Sequence, residues 1–209
     1  MSILDPIKRV QRLRQADASR EHDAGVGRVP PGQVLTAHFP VLTYGATPRI
    51  DKAQWRLRVW GMVEEEREWD WEGFLALPSS TQVCDIHCVT RWSKLDTRWT
   101  GIPFTEVMRH VRLKPGADHV LIHGYGGYTT NMRLDGLLED DVMLAYGYDD
   151  KPLEAGHGGP VRLLVPKLYF WKSAKWVNGL EFIDRTRPGF WESYGYHIHG
   201  DPWAEERFS

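Results

Sequence analysis

Cysteine is scarce: two residues in a chain of 209 exclude a disulfide-dense secreted scaffold. Charge of one sign is missing too. Lys and Arg total 26 against 28 Asp and Glu, a net charge of −2, so no overall basic field favours nucleic acid. No apolar run approaches the ~18 residues of a membrane span. The opening MSILDPIKRVQRLRQ is broken by charges and has no apolar core of a signal peptide, which sets the expected location as the cytoplasm. Internal repeats, heptads and low-complexity tracts are absent. What the chain does hold is aromatic mass: ten Trp, eight Tyr and seven Phe, too much buried area for a disordered polymer. At this length one domain, or one plus an appendage, is expected, with a substantial core.

Residues 1–29 read as an appendage and residues 30–209 as the domain. Over residues 1–22, Asp5 can cap a helix, Pro6 suits its first position, and Ile3, Ile7, Val10 and Leu13 recur at helical spacing beside five basic residues. A Gly- and Pro-rich loop follows. Beyond it, residues 54–62, 81–88, 119–123, 142–148, 161–165 and 175–183 are short, β-branched or aromatic and read as strands. The turn around residues 149–152 can join two strands as a hairpin. Helices fit residues 70–77, 103–113 and 135–140. Short strands interleaved with few helices make an α+β fold. The acidic run at residues 64–68 reads as a solvated turn.

Cys84 and Cys88 lie in TQVCDIHCVTRWS, a C-x3-C spacing open to a disulfide, a shared metal or one working thiolate. In a strand, residues four apart are separated by ~13 Å, whereas a disulfide needs Cα atoms within ~7 Å. Alternation also puts Cys84, Ile86 and Cys88 on one face, with Asp85 and His87 on the other. On a strand, then, the two thiols share neither bridge nor metal, and Cys84 reads as a small buried hydrophobe. Cys88 enters a polar, aromatic turn where Arg91 and Lys94 can favour the thiolate, the form that ligates soft metals.

Three segments together resemble a known family. HCVTRWS with the following RWTGIPF is similar to the molybdenum-ligating turn of the sulfite oxidase superfamily, closest to its haem-free bacterial sulfite oxidase-like branch. LAYGYDDKPLEAGHGGPVRLLVPKLYFWKSAKWVNGLEF resembles the family's PL…HG-x-P-x-R…VP stretch and the Lys-Trp segment after it. HFPV at residues 38–41 resembles the amino-terminal motif of sulfite oxidases. The resemblance runs over roughly residues 30–200 in the family order.

It implies a single sulfite-oxidase-type molybdopterin-binding domain of mixed short strands with a few helices, with molybdenum and molybdopterin as cofactors. Cys88 matches the molybdenum-bound cysteine. His157 and Arg162 match the pair that holds the pterin and its phosphate, Ser173, Ala174 and Lys175 the next cofactor-contacting segment, and His38 the amino-terminal one. Tyr196 falls at the active-site tyrosine, with Trp191 five residues before it. These residue types suit the chemistry. Sulfur ligands suit the metal; Arg is a bidentate fork and Lys a point charge for phosphate; Gly158 and Gly159 let backbone N–H groups approach.

The resemblance also has departures. Sulfite oxidases carry two sulfite-binding arginines where this chain has Thr36 and Ser93, so the anion clamp is weakened. Neither the family's dimerisation domain, nor a C-x2-C-H haem motif, nor the twin-arginine export signal of the methionine-sulfoxide-reducing relatives is expected here. The implied activity is two-electron oxygen-atom transfer on a small oxide or oxyanion, either S- or N-oxide reduction or sulfite-like oxidation, with a separate electron donor or acceptor. Two other readings stand beside it: a zinc or copper protein using Cys88 with His197 and His199, and a non-catalytic molybdopterin-binding carrier.

Overall fold

The computed structural model describes residues 27–209; the helix expected over residues 1–22 lies outside the described residues. Eleven strands among the described residues form two sheets. In the first, the long β5 (Trp92–Pro103) is the spine. It pairs antiparallel with β4 (Ser80–His87) and β8 (Met143–Tyr148), and its first residues pair parallel with β1 (Val34–Leu35). Beyond β8 lie β10 (Arg162–Leu164) and the short β9 (Lys151–Pro152). The second sheet runs β3 (Arg67–Asp70), β2 (Arg56–Gly61), β11 (Val177–Ile183), β6 (His119–Gly124), β7 (Thr129–Arg133). Its β2–β11 pair is parallel and its other pairs are antiparallel. Three short helices, α1 (Trp71–Leu75), α2 (Phe104–Met108) and α3 (Leu134–Leu137), complete the fold. No helix among the described residues is long and apolar enough to cross a membrane.

All six expected strands are present with ends shifted by one or more residues, and β8 and β9 form the expected hairpin, with Asp149 and Asp150 at positive φ. Three strands longer than two residues were not expected: β3, β5 and β7. The run read as a solvated turn continues into β3, where Glu68 lies beside Arg56 and Arg58 of β2. The helix expected over residues 103–113 ends at Met108, because Leu113 is drawn into a bridge with Val63.

The two sheets share one core. Leu57 and Val59 of β2, Val120 and Ile122 of β6, and Leu180 and Phe182 of β11 meet Ile102 of β5, Leu144 of β8 and Leu163 of β10, all fully buried. Each such side chain contributes about 1.5–3 kcal/mol. The Trp55 indole N–H, inside this core, donates to Val177 O at 2.9 Å. β5 and β8 approach so closely that a Cβ on Gly101 would lie 2.5 Å from Leu144 O. A second, more aromatic cluster holds Cys88, Trp92, Trp99, Tyr169, Phe170 and Trp171. The ends of β4, β10 and the approach to β11 converge beside it.

Candidate active site

Between β4 and β5 the chain reverses over residues 88–91. The Cys88 N–H donates to Trp92 O at 2.8 Å, and Arg91, at φ 73°, donates its N–H to Cys88 O at 2.9 Å. Two distant residues hold the turn: Gln33 Nε2 donates to Cys88 O (3.1 Å) and Arg207 Nη1 to Val89 O (3.0 Å). Cys88 is buried, and the Thr90 hydroxyl donates to its Sγ at 3.1 Å. Burial pushes the thiol's pKa up, opposed by the Thr90 hydrogen bonds and by the charges of Lys175 and Arg207. The cations that favour the thiolate are therefore not the expected Arg91 and Lys94. Arg91 is exposed, and Lys94 Nζ is tied to Ala37 O at 2.8 Å.

The expected alternation in β4 is corrected by a bulge between Cys84 and Ile86, after which Ile86, His87 and Cys88 are all buried. Both cysteines are free thiols. Cys84 is half-buried rather than interior, and burial raises its pKa to about 12.

Three basic groups converge beside the Cys88 turn. His157 ends a short 3-10 turn, Ala155–His157, and Gly158 at φ +109° reverses the chain. A Cβ on Gly158 would meet Lys175 and Arg162 at 3.0–3.1 Å, so glycine is required both for the backbone and for the space. Arg162 is 1% exposed. Its Nη1 donates to His157 O (2.6 Å), its Nη2 to Ser173 O (2.8 Å), and its plane lies 4.0 Å from the Phe170 ring centre. Lys175 Nζ donates to Gly156 O (2.6 Å), Leu42 O (2.9 Å) and Thr43 Oγ1 (3.1 Å).

Neither cation has an ion-pair partner among the described residues, and electrostatics records the strain. Burial, then Arg162, lowers the Lys175 pKa to about 7; burial lowers Arg162 to about 9; burial, Arg162 and Lys175 lower His157 to about 4. His157 Nδ1, Arg162 Nε and Trp92 Nε1 are buried without a hydrogen-bond partner among the described residues.

Ser173, through its backbone and hydroxyl, and Ala174, through its backbone, support this cluster. Ser173 O takes the Arg162 bond, Ser173 Oγ accepts from Val165 N (2.9 Å), and Ala174 O accepts from Leu163 N (2.9 Å). His38 is exposed, its N–H donating to Thr36 Oγ1 at 3.1 Å. The close contact from that segment is made instead by Phe39, stacked on His157 at 3.9 Å and 18°. Tyr196 is half-buried, stacked on Trp191 (5.0 Å, 15°) and edge-on to Trp171 (5.2 Å). Burial and then the Cys88 charge raise its pKa, so it keeps its proton.

The structure therefore brings Arg162, Lys175 and Tyr196 within electrostatic reach of Cys88. It does not bring Cys88 to His197 and His199. His197 Nδ1 accepts from the N–H groups of His199 and Gly200 and faces Glu206, and no group of three or more His, Cys, Asp or Glu poised for a metal exists among the described residues. An open groove of about 410 Å³ lined by Arg67, Trp69, Arg109 and His110 contains none of the expected site residues. Sequence reasoning missed Phe39, Gln33, Arg207 and the buried Lys172–Glu192 pair. Of these, Phe39 lies inside the HFPV segment and could have been found there.

Residues 44–191 match the oxidoreductase molybdopterin binding domain family, and the chain belongs to it: this is a molybdopterin-binding oxidoreductase, of a family whose cofactor carries molybdenum. Among its relatives is the uncharacterized oxidoreductase YuiH of Bacillus subtilis (strain 168), 42% identical over 199 residues, 95% of this chain and 97% of that one. A protein of Azospira oryzae, named as a candidate protein-methionine-sulfoxide reductase subunit (YedZ1), is 31% identical over 174 residues, 81% of this chain and 66% of that one. The sulfane dehydrogenase SoxCD of Paracoccus pantotrophus has a similar structure, with a TM-score of 0.61 at 22% identity over 66% of this chain and 40% of that one. That likeness speaks for the sulfite-oxidase-type fold. The chain spans about two thirds of the Azospira relative and less than half of SoxCD.

Proposed function

We propose that this chain catalyses two-electron reduction of a neutral S- or N-oxide, with Cys88 as the metal's protein ligand and His157, Arg162, Lys175 and the Ser173–Ala174 backbone around the pterin and its phosphate. One observation carries this reading. Two buried cations, Arg162 and Lys175, face a buried thiol with no carboxylate among the described residues to pair either, and a neutral His157 lies beside them.

The residues fit the cofactor. Buried polar groups are ordinarily satisfied, and His157 Nδ1 and Arg162 Nε are two that lack partners among the described residues. Two desolvated cations suit a phosphate, and a thiolate suits a soft metal. When bound, the cofactor supplies the two-electron exchange and the oxygen-atom transfer. Lys175 and Arg162 neutralise the anionic end. Phe39, lying flat on His157, shields that side from water. Tyr196, which keeps its proton, donates a hydrogen bond to the oxide oxygen and orients it. The balance is one sulfoxide, two electrons and two protons giving one sulfide and one water, with the electrons brought by a separate protein or small carrier.

The neutral residues Thr36 and Ser93 support an uncharged oxide over an oxyanion, and the name of the Azospira relative supports sulfur as the oxidised atom. The test is steady-state turnover of aryl and alkyl sulfoxides with a reduced dye as electron donor. Wild-type protein should turn over, and Cys88→Ser should lose at least about a thousandfold, the scale on which removal of an essential catalytic group acts. Full activity without that thiol would overturn the assignment. Pterin retained with no turnover of any oxide would favour the carrier reading.

A further inference from the structure

We infer that Lys172 and Glu192 are a positioning pair for Tyr196; the inference rests on the role given to Tyr196 above. The two side chains are sealed from solvent, 1% and 0% exposed, with Nζ and Oε1 2.7 Å apart. Lys172 immediately precedes the Ser173–Lys175 segment that supports the basic cluster. Glu192 opens the turn Glu192–Tyr194 that leads into Tyr196.

Their bonds close around the tyrosine from both directions along the chain. Lys172 Nζ donates to Glu192 Oε1 before Tyr196 and to Ile198 O (2.6 Å) after it. It is anchored from the second sheet by Asn131 O and Asn131 Oδ1, each at 2.9 Å. Glu192 Oε1 also accepts from Thr130 Oγ1 (2.8 Å) and from the Trp171 indole N–H (3.2 Å), and Trp171 is the ring that meets Tyr196 edge-on. One ammonium thus ties β7, the 171–175 segment and the tyrosine-bearing loop at a single point.

A pure stability role is a poor account of such a pair. Two charges taken out of water are often replaced by apolar residues of similar volume without loss of stability. Here the pair instead fixes the height and tilt of a ring whose hydroxyl must reach a reacting atom, and a displacement of about 1 Å at such a group lowers turnover by about a hundredfold.

The experiment compares the purified, cofactor-loaded protein with the neutral swap Lys172→Met/Glu192→Leu, with Tyr196→Phe, and with the swap and Tyr196→Phe combined. The swap should retain molybdenum and pterin near wild-type levels, lower kcat by about tenfold to a hundredfold with KM changed less than about threefold, and speed amide hydrogen exchange across residues 191–198. In the Tyr196→Phe background it should lower kcat by less than about twofold further, since there is no hydroxyl left to misplace. Glu192→Gln keeps the acceptor and the shape. It should show a smaller loss of the same kind, and it stands in for the swap should that variant not fold.

An undiminished kcat in the swap, or the same factor lost with and without the Tyr196 hydroxyl, would overturn the pair's role while leaving that of Tyr196 intact. Wild-type turnover by Tyr196→Phe alone would remove the role of Tyr196 and this inference with it.

Discussion

Thr36 N–H donates to Ser93 O at 2.9 Å, continuing the parallel pairing of β1 with the start of β5. Two uncharged residues thus stand side by side where the sequence resemblance puts two sulfite-binding arginines. Ser93 is fully buried and its hydroxyl is engaged by His87 Nδ1 at 2.8 Å, so the position has no room to act as a charged clamp.

This arrangement predicts substrate preference. Two absent charge-assisted hydrogen bonds of about 1.5 kcal/mol each amount to about a hundredfold. The kcat/KM for a neutral sulfoxide should exceed that for sulfite, run in the opposite sense, by at least this factor in parallel steady-state assays. Equal values would contradict the neutral reading.

Lys175 predicts how the cofactor-free protein responds to pH. Its folded pKa, about 7, lies below the ordinary lysine value of about 10.4. Between the two, the unfolded chain binds more protons than the folded one, so stability rises with pH across that window. Lys175→Met should reduce this slope in urea titrations between pH 7 and pH 9, below the range where the lowered Arg162 adds its own, and loading the phosphate-bearing cofactor should flatten it. A slope unchanged in Lys175→Met would show that the lysine is not desolvated as described.

His87 makes a second prediction, at the acid end. Burial lowers its pKa to about 4 against an ordinary 6.5, so the stability its neutral form allows is lost as pH falls from about 6.5 toward 4. The effect should be on the order of 3 kcal/mol at pH 4. His87→Asn, which can keep the bond to Ser93, should unfold less steeply over this range in thermal melts.

Gly101→Ala should destabilise the protein by about 1–3 kcal/mol, the usual cost of overpacking. Its Cβ would sit 2.5 Å from Leu144 O and 2.7 Å from Ala145 Cα, both backbone atoms that cannot rotate away. Urea unfolding would read the change as a lower midpoint at an unaltered m value.

What the sequence revealed, and what it hid, follows from distance along the chain. The strands at β2, β6, β8 and β11 are legible because their apolar and β-branched runs are short and bounded. β5 is not, because Lys94, Asp96 and Arg98 look like a polar turn. Its buried series Thr97, Trp99 and Gly101 emerges only after Asp96 adopts φ 55°. Cys88, His157, Arg162 and Lys175 could be found because they sit in long motifs. Arg207 could not: its partner Val89 O is 118 residues away, and a lone arginine near the end of a sequence gives no hint of it. The same holds for Glu192, whose buried carboxylate is met by Lys172, Trp171 and Thr130, 20, 21 and 62 residues away along the chain.

The most direct test of the account is elemental analysis of protein purified from a molybdenum-replete host, paired with fluorescence detection of released, oxidised pterin. The account predicts molybdenum and pterin each near one per chain, with the metal lost in Cys88→Ser and pterin lost in Arg162→Met. Zinc or copper without pterin, or molybdenum fully retained in Cys88→Ser, would contradict it.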